Sequence, residues 1–110
     1  MELAFTNRDL RDLCLSEALA TERLGVKIAA KLKRRLADLA AAGNVEEVLS
    51  LPGKPTELEA HGKSCIAINL TNNYQLFFTS GHSETPCLVS GKTNWSLVRR
   101  IKILGVGQGL

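Results

Sequence analysis

The sequence predicts an α+β protein, with helices in its first half and strands in its second, and three observations carry that reading. Between Glu17 and Ala42, Leu24, Ile28, Leu32, Leu36 and Leu39 recur at helical spacing. Between Glu57 and Phe78 the apolar residues alternate with period two on either side of Thr71-Asn72-Asn73. Between these stretches, Pro52-Gly53-Lys54-Pro55 breaks the chain.

Taken in order, Leu3-Ala4-Phe5 reads as a short first strand pairing at a sheet edge. Thr6 or Asn7 caps a two-turn helix ending at Leu15, with Leu10, Leu13 and Cys14 on one side. Ser16 is a second cap, and Glu17 in the next first turn suits the helix dipole. Glu17 to Ala42 then reads as one long helix rich in alanine, with Gly25 inside it marking close packing. Gly43-Asn44 ends it, and Val45 to Leu51 adds one or two turns.

After the break come two strands joined at Asn72-Asn73, residues that tolerate the positive φ of a tight turn. In Ile66-Ala67-Ile68-Asn69-Leu70 the isoleucines and Leu70 share one face, the pattern of a strand with one buried side. Residues 80–86 are a polar loop, Cys87-Leu88-Val89 a short strand or part of that loop, and Ile101 to Val106 the last strand. The tail from Gly107 to Leu110 has little to hold it.

A length of 110 residues, 45% hydrophobic and 23% charged, suits one folded domain with one core. No apolar run approaches the roughly 20 residues of a membrane helix, and MELAFTNRD lacks a signal-peptide core, so a cytoplasmic protein is expected. Three widely spaced cysteines, Cys14, Cys65 and Cys87, make neither a disulfide framework nor a zinc site. No metal and no cofactor is expected.

The net charge of +3 is distributed unevenly. Lys27, Lys31, Arg34 and Arg35 follow Arg23 along the long helix, and no acid lies between Glu22 and Asp38. This is either a solvated helix face or a surface for nucleic acid or an acidic partner. No aromatic residues are interleaved, so single-strand stacking there is not indicated.

Chemistry-bearing motifs are few. Ser90-Gly-Lys-Thr lacks the upstream glycine of a phosphate-binding loop, and no hydrolase or metalloprotease motif is present. His61 and His82 stand before and after the hairpin without an accompanying ligand set. His61 with Lys63 is a candidate pair for proton transfer or phosphate binding, against the plainer reading of two solvated loop residues.

The order of several pieces resembles a known family. These are Leu3-Ala4-Phe5, Asp12-Leu13-Cys14, Arg23-Leu24-Gly25, the run from Ile28 to Leu36, Leu49-Ser50-Leu51-Pro52-Gly53, the run from Ile68 to Phe78, Asn94-Trp95-Ser96 and Ile103-Leu104-Gly105-Val106. Together, over nearly the whole chain, they resemble the RelE–ParE toxin superfamily, and within it the HigB-like toxins of type II toxin–antitoxin systems. The resemblance implies a small RelE-like fold, two N-terminal helices packed on a curved, mostly antiparallel sheet in the order β-α-α-β-β-β. It implies a ribosome-dependent, metal-independent mRNA endoribonuclease, or mRNA interferase, that inhibits translation. The implied partners are a cognate helix-turn-helix antitoxin (HigA-like), the ribosome and its mRNA, and operator DNA only through the antitoxin complex. The alternative that the resemblance implies is a ParE-like toxin, which shares the fold and inhibits gyrase.

On this resemblance the catalytic candidates are His61, Lys63, His82 and Gln75, the last standing where the family has arginine. Candidates for binding RNA or a partner are Lys54, Lys92, Arg99, Arg100, Lys27, Lys31, Arg34 and Arg35. Three positions depart from the family pattern. Leu58-Glu59-Ala60 replaces a Leu-Lys-Gly turn, Gln75 replaces the arginine, and Gly109-Leu110 stands where a Tyr-His-like pair is common. A neutral Gln75 cannot make the bidentate grip of arginine on phosphate. The departures therefore open a second reading, a catalytically attenuated toxin-fold protein that binds antitoxin or ribosome.

Overall fold

Short polar side chains open the helical layer. The Asn7 Oδ1 accepts the Leu10 N–H at 2.8 Å and starts α1, Arg8–Leu15. Ser16 ends that helix with its own N–H on the Asp12 carbonyl, and its Oγ accepts the Leu19 N–H to start α2, Glu17–Leu24. The computed structural model describes residues 1–60 and 62–108.

The long helix expected over Glu17 to Ala42 is two helices, α2 and α3, Val26–Ala41. Gly25 separates them at φ +89° and ψ 162°, a conformation that only glycine adopts readily. A Cβ there would meet nothing within 4 Å, so backbone freedom, not close packing, is what this glycine supplies. A fourth helix, α4, spans Val45–Val48. The Asn44 Oδ1 accepts the Glu47 N–H at 3.0 Å and the Glu47 carboxylate accepts the Gly43 N–H at 2.8 Å, a reciprocal cap.

Five strands make one mixed sheet: β1 Glu2–Phe5, β2 Thr56–Ala60, β3 Lys63–Asn69, β4 Gln75–Ser80 and β5 Arg100–Gly107. Their spatial order is β1-β5-β4-β3-β2. β1 lies at an edge, parallel to β5, and every other pairing is antiparallel. The β-α-α-β-β-β order thus becomes one strand, four helices and four strands. The added strand, β2, occupies the segment expected to be a turn at Leu58-Glu59-Ala60 and pairs with β3 through Leu58 and Cys65. The hairpin turn sits where the asparagines place it, with φ 54° at Asn72 and 65° at Asn73. Cys87 makes only an isolated bridge to Thr93, not a strand. Gly107 is the last residue of β5 and pairs with Gln75. Leu110 lies outside the described residues.

The alternation of the strands sorts them into two faces. On the inner face, Ile66, Ile68, Leu76, Phe78, Ile101 and Ile103 meet Ile28, Leu32 and Leu39 of α3, Val45 and Val48 of α4, and Trp95 and Val98. On the outer face Cys65, Ala67, Phe77 and Thr79 are also buried. The middle of β3 therefore has two buried sides, not the expected one. The small Cys65 and Ala67 have Leu58 and Phe77 directly across the strand ladder, and cross-strand neighbours of that size cover them.

Candidate nucleic-acid interface

The ends of the sheet carry different chemistry. At one end, where β3 begins and β4 ends, a polar cleft of about 440 Å³ opens between β3, β4 and the loop after β4. Lys63, the first residue of β3, lines it together with His82. The remaining lining is rich in hydroxyls: Ser64, Thr79, Ser80, Ser83, Thr85 and Thr93. Glu59 of β2 also lines it, so the cleft holds an acid as well as a cation.

His82 is held by its neighbours. Its Nε2 accepts the Arg99 N–H at 3.0 Å, and its own N–H donates to the Ser80 Oγ at 3.3 Å. A neutral imidazole accepting at Nε2 carries its proton on Nδ1. With Nε2 engaged by Arg99, Nδ1 is the ring nitrogen left for another partner. Arg99 and Arg100 border a shallower depression on the other side of His82. Arg100 pairs with Glu2 at 3.3 Å, with both side chains exposed.

Register adds a residue that the sequence reading missed. Arg100-Ile101-Lys102-Ile103 alternates exposed and buried, which puts Arg100 and Lys102 on the outer face. Lys102 pairs with Thr79, which pairs with Cys65, two residues from Lys63. Lys63, Arg100 and Lys102 thus share one face at one end of the sheet. The period of two in the last strand was the available signal.

Gln75 is elsewhere. It pairs with Asn69, and its Nε2 donates to the Asn69 Oδ1 at 3.0 Å. Asn69 is six residues along β3 from Lys63, a span of about 20 Å in an extended strand. Lys54 belongs to that far end as well, exposed at φ 48° next to Gly53, whose carbonyl accepts the Asn69 N–H. Lys92 is exposed in the loop after β4, between Gly91 and Thr93 of the cleft. The structure brings Lys63 and His82 together, with Arg99, Arg100 and Lys92 near them, and leaves Gln75 and Lys54 apart. His61 lies outside the described residues.

The basic helix divides too. Lys27, Lys31 and Arg34 line a groove of about 370 Å³ with Ala30 and with Thr71 of the hairpin turn. Arg35 does not join them. It falls on the apolar stripe of α3 with Ile28, Leu32 and Leu39, is only 6% exposed, and donates from NH1 to the Asp38 Oδ2 at 2.9 Å. A buried guanidinium bound to its own helix is unavailable to RNA, so Arg35 is a structural cation. Asp38→Ala leaves that charge without its partner; with the Asp38 side chain one-third exposed, the expected cost is about 2 kcal/mol. Arg35→Met, which removes the charge and keeps the packing, is expected to cost less when the two variants are compared by urea denaturation.

The cysteines offer no chemistry in the interior. Burial pushes the Cys14 thiol up to about 11 and the Cys65 thiol also upward, so both stay protonated at neutral pH. Among the described residues no cluster of three His, Cys, Asp or Glu is placed to hold a metal ion. No helix among them is long and apolar enough to cross a membrane. Compared with protein-family models, curated proteins and solved structures, the chain finds no match.

Proposed function

We propose that the chain is a toxin of the RelE–ParE kind, HigB-like in pattern, that acts as a ribosome-dependent mRNA endoribonuclease and is neutralised by a helix-turn-helix antitoxin. The observation that carries this reading is the cleft that Lys63 and His82 both line, with Arg100 and Lys102 on the adjoining outer face. Metal-independent cleavage of RNA needs cations where negative charge grows on the phosphorus-bound oxygens, and a group to move the proton of the attacking 2′-hydroxyl. Lys63 and Lys102 supply the cations. His82 supplies a donor through Nδ1, and His61, two residues before Lys63 in sequence, is the candidate for the proton transfer. The RelE-like fold belongs to the same proposal: the first strand next to the last, helices between them, then an antiparallel meander, support it.

Inducible expression tests the proposal. Growth arrest with in-frame cuts in translated messages is expected, relieved by co-expression of a helix-turn-helix partner from the neighbouring reading frame. Lys63→Ala, at an exposed position, is expected to lower cleavage about 100-fold while leaving the fold intact. Arrest without transcript cuts overturns the endoribonuclease reading.

A second reading has its own support. The Nε2 of His82 is occupied, Glu59 faces the cleft, and Gln75 is bonded to Asn69 far from it. These fit an attenuated protein that binds antitoxin or ribosome without cutting. In that case Glu59→Lys, which puts a cation in place of the acid that lines the cleft, creates or sharply raises toxicity, and an unchanged phenotype counts against it.

A further inference from the structure

The groove on α3 is separate from the cleft. Lys63 begins β3 at the cleft, and Thr71 follows the other end of that strand at the groove, eight residues and about 25 Å away. Lys27, Lys31 and Arg34 lie one helical turn apart, over about 10 Å of α3. Among the described residues none of the three makes an ion pair. Three cations on one face, with no acid between Glu22 and Asp38 in sequence, give the groove an uncompensated positive field.

Its floor tells against nucleic acid. The exposed lining is mostly apolar, formed by Ala30 and the aliphatic stems of the cations. Val26, 72% exposed, extends this apolar row by one turn beside the basic row. A phosphate backbone covers no apolar surface, and no aromatic ring is present to stack a base. A protein segment with acids at helical spacing and aliphatic side chains beside them satisfies both rows at once. The hairpin turn at Thr71 forms the facing wall.

We propose that α3 and the hairpin turn form a docking groove for an acidic amphipathic segment of a partner protein, held by Lys27, Lys31 and Arg34 over the Val26–Ala30 row. The inference stands on the groove alone and does not require the endoribonuclease reading.

The test uses the whole chain, isotope-labelled, and three probes: a synthetic peptide with Glu at positions i, i+4 and i+7 and Leu beside them, the same peptide with Gln for Glu, and a single-stranded RNA oligonucleotide. The acidic peptide is expected to shift amide resonances of Val26 to Arg34 and of Thr71 to Asn73. The Gln peptide is expected to bind about tenfold or more weakly. The variant carrying Lys27→Gln, Lys31→Gln and Arg34→Gln, all at exposed positions, is expected to lose the acidic peptide by a similar factor and keep its own spectrum. Lack of binding overturns the proposal, as do equal affinity for both peptides, shifts confined to the Lys63–His82 cleft, and RNA shifting the groove residues where the acidic peptide does not. Growth arrest and transcript cutting read the other proposal and are independent of these outcomes.

Discussion

Phe78→Ala is expected to lower the free energy of unfolding by about 3–5 kcal/mol. Phe78 is fully buried in the middle of β4, pairs with Ile66 on one side and Ile103 on the other, and belongs to the same apolar cluster as Leu32 and Leu39 of α3. The ring therefore joins three strands to the helical layer. Its removal forfeits the transfer free energy of the ring and leaves a cavity between rigid neighbours that cannot close fully. The register with β5 shifts between Phe77, opposite Gly105, and Phe78, opposite Ile103. Urea denaturation followed by circular dichroism measures the loss as a lowered midpoint at unchanged slope. A change under about 1 kcal/mol would mean that the cluster is not packed as described.

Gly53→Ala is expected to cost about 3–4 kcal/mol, more than any surface substitution in the chain. Two effects add. Gly53 has φ +107°, a conformation that an L side chain strains. An added Cβ would also lie 2.6 Å from the Ile68 Cγ2 and 3.2 Å from the Asn69 carbonyl oxygen. The methyl of Ile68 is anchored in the core and the Asn69 carbonyl is backbone, so neither yields cheaply. The Gly53 carbonyl accepts the Asn69 N–H at 2.7 Å, which any displacement of the loop would lengthen. Thermal melting and hydrogen exchange at the Asn69 amide report the two losses separately. A variant with wild-type melting and wild-type protection at Asn69 would show that the loop moves away freely.

The fold was legible wherever a local rule decides it. Asn7 and Ser16 sit at helix starts because their side chains accept exposed amides, and those signals are complete within four residues. Asn72-Asn73 is equally local. The division at Gly25 was misjudged because the apolar period runs on through it, so the sequence pattern is the same for one helix or two. Strand β2 was missed for a different reason. Thr56-Glu57-Leu58-Glu59-Ala60 has little intrinsic strand preference, and its state is imposed by pairing with β3. The site was legible in part. Lys63 and His82 were identifiable as cation and imidazole on either side of a hairpin, but their meeting depends on where the loop after β4 turns, which no local pattern states. By charge alone Arg35 belongs to the basic run. Its spacing from Ile28, Leu32 and Leu39 already placed it inside.

The pairing of β1 with β5 sets an order of events in synthesis. Leu3 sits opposite Ile101 and Phe5 opposite Ile103, so the earliest strand has no partner until the latest one has left the ribosome. The meander of β2, β3 and β4 can assemble beforehand, but its β4 edge stays open and the inner face of β1 stays wet until β5 arrives. Completion of the sheet therefore waits for β5, and the protein acquires its outer basic face, with Arg100 and Lys102 on that closing strand, only as β5 docks.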